Sequence, residues 1–302
     1  MTAEALPGLH VVRIGHGGHE PMHPAGDPVP AYAASGCFDL LGPPTVVDPD
    51  APASLPTEPV AALGVIGGAI AQAVAAGART GQPVLVVGGN CTVTPGIVGG
   101  LQAAHGADAR IGLVWFDAHG DFNTPRTTFT GRLGGMPVAV AAGLAYPAWR
   151  EAAGMAAPLP TDRILFVDVR NLDQPEAALL RATDAVVTAV TPADDLRRAI
   201  ADLAARCDRL YLHVDADVLD AALVPNHPTV EPNGPGLDDT LAAMDVVLAT
   251  GKVAAFALVS VFAGGDGGDR SLESGLELLR GGLESWRRHG WPGAAAGASG
   301  RV

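Results

Sequence analysis

Two short stretches of the 302-residue chain concentrate side chains suited to metal or acid–base chemistry. WFDAHGD supplies Asp117, His119 and Asp121, and HVDADVLD supplies Asp215 and Asp217. In an extended strand, residues i and i+2 share a face, so Asp117 is expected to project with His119, and Asp215 with Asp217. Hard carboxylates with one imidazole suit Mn²⁺, Fe²⁺ or Mg²⁺ better than a structural zinc. Four such carboxylates in one pocket would repel strongly unless cations neutralised them. A lone Asp-x-Asp is more often a helix cap or a solvated loop end. Two pairs at the ends of two apolar runs, one including a histidine, favour metal binding. A third stretch, GGNCT, places Cys91 just after the apolar run Val84–Val87.

The elements that must position these residues follow from patterning. Val84–Val87, Ile111–Asp117, Ile164–Val169, Leu210–Asp217 and Val253–Phe262 are apolar and read as strands, while Gly64–Ala78, Thr94–His105, Pro192–Cys207 and Leu237–Leu248 read as helices. Such alternation predicts βαβ units: an α/β fold of three layers, α/β/α, around a mainly parallel sheet. Ligands in these sheets bind at the carboxyl ends of strands. Polar clusters stand at four such ends: GGNC, DAHGD, VRNLDQPE and DADVLD. Their convergence on one rim would make an active site.

Composition bounds the rest. A chain 48% apolar and 17% charged can bury a large core, and one domain over 1–302 is expected, with 293–302 a flexible, low-complexity tail. A net charge of -13 disfavours nucleic acid and anionic membranes as partners and suits a cation or cationic substrate. The N-terminus lacks a basic start followed by an apolar run, and no stretch of about 18 consecutive apolar residues suggests a membrane span, so a cytoplasmic location is expected. The cysteines, Cys37, Cys91 and Cys207, are three, far apart and in no CxxC pair, which argues against a disulfide framework. Segments 16–47 and 217–235 are rich in Gly and Pro and should be long loops. Within the first, His16, His19 and His23 lack a regular secondary-structure frame, and a loop without a metal role is the simpler reading.

DAHGDFNTP and HVDADVLD, preceded by a GG-x-x-[ST] turn, resemble the manganese-dependent arginase (ureohydrolase) family across roughly Val84 to Phe262. The resemblance implies two Mn²⁺ ions per chain. It places bridging carboxylates at Asp117 and Asp215, His119 and Asp217 on one metal, and Asp121 on the other. The family's remaining ligand, the histidine of GGDHS, falls on Cys91. A thiolate beside cations can ligate a divalent metal; the alternative is a small buried thiol with a mononuclear or weak second site. The resemblance also implies that Asn123 and Thr130 receive a substrate α-carboxylate and Asp173 the α-amino group, with Glu176 nearby.

Two departures bear on the substrate, a small guanidino amino acid by the same resemblance. Leu133-Gly134-Gly135 stands where arginases carry the L-H-G of a proton shuttle, and Ser260 stands where they carry a glutamate facing the guanidinium. An N-hydroxyguanidine is less basic and asks less of both missing groups, and Ser260 could hydrogen-bond to it. The pattern is similar to the family branch that hydrolyses Nω-hydroxy-L-arginine to hydroxyurea and L-ornithine for D-cycloserine biosynthesis, with Asp121 as the remaining proton donor. Ordinary arginase or other guanidino-acid hydrolysis is the alternative, and a non-catalytic metal- or ligand-binding pseudoenzyme is a third reading. The family's C-terminal trimer tail is replaced here by GAAAGASGRV, which offers little apolar area, so a monomer is favoured.

Overall fold

The computed structural model describes residues 8–293 apart from 192; the tail expected over 293–302 lies, but for Gly293, outside the described residues. The strands are β1 (His10–Ile14), β2 (His16–Gly17), β3 (Glu20–Pro21), β4 (Thr45–Val47), β5 (Val84–Gly88), β6 (Ile111–Phe116), β7 (Ile164–Val167), β8 (Val186–Thr188), β9 (Arg209–Asp215) and β10 (Val253–Val259). The helices are α1 (Val29–Ala34), α2 (Pro59–Arg79), α3 (Thr94–His105), α4 (Pro137–Ala141), α5 (Pro147–Ala152), α6 (Gln174–Arg181), α7 (Ala193–Arg206), α8 (Leu237–Leu248) and α9 (Gly268–His289).

Eight strands form one sheet in the order β4-β1-β5-β10-β9-β6-β7-β8, and every ladder in it is parallel. The central strands are buried along their whole length, which is why they read as continuous apolar runs. Each face carries its own core. One is built with α2 through α5 around Ile70, Ile97, Trp115 and Trp149; the other lies under α7, α8 and α9 around Leu203, Met244, Leu283 and Trp286. α2 and α3 approach closely because small residues line their contact: a Cβ on Gly96 would stand 2.6 Å from the Gly67 carbonyl. α2 is also apolar and long enough, at 21 residues, to pass a membrane-span test by length and composition, but it is largely buried within the protein.

Several expectations are corrected. The segment 16–47 is not one long loop: it holds β2, β3, α1 and β4, and His16 sits on the small β2–β3 ladder, so the histidine stretch has a regular frame. The motif residues also leave their strands earlier than the pleat argument assumed. β6 ends at Phe116 and β9 at Asp215, so His119 and Asp217 reach their partners through turns.

Candidate metal and active site

The strand ends meet at the carboxyl edge of the sheet around a cavity of about 430 Å³. β5 exits through Gly88 and Gly89, both at positive φ and packed so closely on Ile14 that a Cβ on either would collide with it. This turn delivers Asn90, whose side chain caps the following turn, and Cys91. β6 delivers Asp117, His119 and Asp121; β9 delivers Asp215 and Asp217; β10 delivers Ser260. Asp121, Asp168 and Ser260 hold left-handed φ of 45°, 67° and 59°, strained backbone of the kind that gathers at functional rims.

The loop after β6 is tied to the loop after β7: Arg170 and Asn171 both donate backbone N–H groups to the Ala118 carbonyl at 2.9 Å. The Arg170 side chain then donates to the carbonyls of Asp168, Asp217, Val218, Leu219, Glu231 and Pro232, pinning the long loop after β9. Glu176 closes the frame from α6, accepting from the Phe122 N–H at 2.9 Å and the Asp173 N–H at 3.3 Å.

The ligand atoms form three overlapping groups, each with all its atoms within 4.8 Å of one another: Cys91–Asp117–His213–Asp215, Asp117–His119–Asp217 and Asp215–Asp217–His227. His119 Nδ1 lies 3.3 Å from Asp117 Oδ1 and 3.1 Å from Asp217 Oδ2. Cys91 Sγ lies 2.9 Å from Asp215 Oδ2. Asp121 belongs to none of the three groups; its buried carboxyl lines the same cavity.

Electrostatics favour a cation here. Burial and the charges of Asp217, Asp215 and Asp121 push the Asp117 carboxyl well above its ordinary value, and burial does the same to Asp121. Burial, with Asp215, Asp121 and Asp117, pushes the Cys91 thiol up. Burial opposes the charge on His119, but hydrogen bonds to Asp117 and Asp217 outweigh it and raise the imidazole to about 12. His227 Nε2 is buried without a well-formed hydrogen bond, although Asp215 Oδ1 is 3.4 Å away. Clustered acids that ionise with difficulty, beside an orphaned buried nitrogen, are what a divalent ion would relieve, so the residues present fit a metal centre.

The substrate-binding residues expected from sequence fall at the cavity mouth, with mixed roles. Asn123 Nδ2 donates to Asp173 Oδ2 at 3.1 Å, bringing that pair together, while Thr130 lines the rim on an exposed loop. Glu176 is occupied by backbone donors and buried, so it braces the wall. Ser260 Oγ donates to Asp215 Oδ2 at 2.5 Å. Gly134 and Gly135 line the cavity, and His16, His19 and His23 do not.

Sequence reasoning missed His213, His227, Thr229 and Glu231. His213 was legible, being two residues before Asp215 on the same strand. His227, Thr229 and Glu231 come from an irregular loop whose path no periodicity reveals. There Thr229 donates to Asp217 Oδ2 at 3.2 Å, and Glu231 Oε1 stands 3.3 Å from His119 Nε2.

A three-layer α/β/α architecture with carboxylates gathered at the strand ends defines a metallohydrolase-like class of protein. The chain belongs to the arginase family, whose model matches residues 46–280. It is 29% identical over 175 residues to an arginase of Bacillus caldovelox, covering 56% of this chain and 58% of that protein. It is 37% identical over 122 residues to the N(omega)-hydroxy-L-arginine amidinohydrolase of Streptomyces lavendulae, covering 40% of this chain and 41% of that one. These matches span little more than half the length of the relatives, or less. In fold the chain is similar to the Entamoeba histolytica arginase solved with L-ornithine, with a TM-score of 0.80 over 92% of this chain and 99% of that one at 18% identity.

Proposed function

We propose that this protein hydrolyses the hydroxyguanidino group of Nω-hydroxy-L-arginine, with water, to hydroxyurea and L-ornithine. The observation that carries the reading is the convergence of Cys91, Asp117, His119, Asp215 and Asp217 from three strand ends on one cavity. The likeness to the S. lavendulae amidinohydrolase and the presence of Ser260 in the cavity support the hydroxylated substrate. A role in D-cycloserine biosynthesis belongs to the same proposal.

Asp117, His119, Asp215, Asp217 and Cys91 would hold two divalent ions, manganese by our reading, with His227 beside them. When bound, such ions supply Lewis-acid polarisation and the activation of water at neutral pH. The protein residues do the rest. Asn123 and Thr130 receive the α-carboxylate and Asp173 the α-ammonium, which fixes how deep the head group reaches. Asp121, its carboxyl raised by burial, holds a proton at its carboxyl oxygen for the departing ornithine nitrogen. Ser260 holds Asp215 in place and offers its oxygen to the substrate hydroxyl.

Arginase activity is the second reading, favoured by the similarity to the B. caldovelox enzyme. A manganese-loaded assay comparing L-arginine with its Nω-hydroxy derivative, with urea and hydroxyurea detected separately, decides between them. A clear preference for the hydroxylated substrate is expected; equal turnover of both would refute it, and no ornithine from either would point to a pseudoenzyme.

A further inference from the structure

One imidazole of the cavity cluster is not used by the reading above. His213 is fully buried on β9, two residues before Asp215 and on the same face. Its ring stacks on Trp115 with centroids 3.8 Å apart and planes 4° from parallel, so its plane is fixed. Nδ1 lies 2.6 Å from the Tyr211 hydroxyl, which lies 3.4 Å from Thr94 Oγ1. The other nitrogen, Nε2, lies 3.4 Å from Cys91 Sγ.

We propose that His213 is a metal ligand through Nε2, completing with Cys91, Asp117 and Asp215 a four-donor site at one corner of the cluster. The inference rests on the metal-centre reading of the cavity and deepens it. Three features carry it. The four ligand atoms lie within 4.8 Å of one another, close enough to share one ion. The second ring nitrogen is engaged by a hydroxyl: with Nδ1–H donating to Tyr211, Nε2 presents its lone pair toward Cys91, the outer-partner arrangement by which proteins orient ligating histidines. The stacked indole holds the ring plane, and a half-turn within it would take Nδ1 away from the Tyr211 hydroxyl.

The chemical consequence is asymmetry. This corner offers sulfur, nitrogen and two carboxylates, whereas Asp117–His119–Asp217 offers one nitrogen among carboxylates. The Cys91 corner is therefore the softer one, suited to Zn²⁺, Co²⁺ or Fe²⁺, and the other is better matched to Mn²⁺. Offered a mixture of Mn²⁺ and a softer ion, the protein should place the softer ion at the Cys91 corner and Mn²⁺ at the other.

Cobalt(II) titration of the metal-free protein tests this. In the wild type we expect two equivalents to bind, one bringing a thiolate-to-cobalt charge-transfer band and the strong visible bands of four-coordinate cobalt. His213→Phe keeps the stack on Trp115 and removes the donor. It should weaken that equivalent beyond the ~10–100-fold typical of losing an outer hydrogen-bond partner, with the visible bands altered. Pulsed electron resonance of the manganese-loaded protein, labelled with ¹⁵N-histidine, should lose one directly coordinated nitrogen in the same variant. His213→Gln, which keeps a polar partner for Tyr211, serves if the Phe variant is unfolded by circular dichroism. Unchanged affinity and spectra in the variant would overturn the assignment, as would a wild type with no thiolate band. Weakened binding with the nitrogen signal intact would also overturn it, making His213 a positioning residue. Ornithine release is measured separately, so failure of the hydrolase reading would show as no product despite the expected spectra.

Discussion

At the scale of single residues, the site depends on how few side chains hold many charges. Cys91 Sγ lies 2.9 Å from Asp215 Oδ2 and 3.5 Å from Asp117 Oδ2. Cys91→Ala should abolish tight binding of the second metal equivalent, while Cys91→His should retain two, both read by titration with metal analysis. Full two-metal affinity in the alanine variant would reduce Cys91 to a packed thiol. Ser260 donates to a buried carboxylate, a hydrogen bond worth about 1.5–3 kcal/mol. Ser260→Ala should lower the unfolding free energy by that order, and Ser260→Glu should shift the ratio of kcat/KM toward L-arginine. An unchanged ratio would mean that this position does not discriminate the head group. Sequence made Cys91, Asp117, His119, Asp215 and Asp217 visible because each sits beside an apolar run that announces its strand. His213 shares that advantage, yet a histidine just inside a strand is easily taken for core. His227 and Glu231 were invisible because an irregular loop carries no period from which to project a side chain.

At the scale of elements, the substrate wall is a set of loops braced by two charged side chains. Arg170 spends its guanidinium on main-chain carbonyls from three segments, a planar fork that an ammonium cannot imitate. Arg170→Lys should cost about 3 kcal/mol in stability, the order of one or two charge-assisted hydrogen bonds lost, and raise KM more than it lowers metal affinity. Denaturant unfolding and metal titration of one sample separate the two effects. Gly120 makes the same wall intolerant of bulk, since a Cβ there would stand 2.7 Å from Leu172 Cδ2 and 2.9 Å from Glu176 Oε1. The central strands and α3 and α8 were legible from unbroken apolar or amphipathic runs. α9 was not expected, although it buries Leu278, Leu279, Leu283 and Trp286, because its charged outer face and three internal glycines dilute the pattern. β4 and β8 are short, half-exposed edge strands, which carry little signal in any sequence.

For the whole molecule, the cavity links metal content to pH. Asp117 and Asp121 have carboxyls raised above their ordinary values, and His119 is raised to about 12. At these three groups the metal-free folded protein therefore holds more protons than the unfolded chain, while Asp215 and His213, both lowered, act in the opposite sense. The stability contributed by Asp117, Asp121 and His119 falls as pH rises, from about 4 upward for the aspartates and from about 6.5 toward 12 for the histidine. Metal binding displaces the protons of Asp117 and His119, so affinity should rise over the same range. Thermal unfolding with and without Mn²⁺ should give curves that diverge with increasing pH. Parallel curves would show that no protons are exchanged at the site.

The sheet order carries one more consequence. Among the described residues β10 is the last strand, and it lies between β5 and β9 as the only strand joining β4-β1-β5 to β9-β6-β7-β8. During synthesis the two halves of the sheet must wait, with their inner edges unpaired, until residues 253–259 leave the ribosome and slot between them. Cys91 and Asp215, on opposite sides of that gap, can meet only then. Asp117, His119 and Asp217 share one half, so the Cys91 corner of the cluster is the part completed last, and the strand edges left open until then are where a chaperone would act.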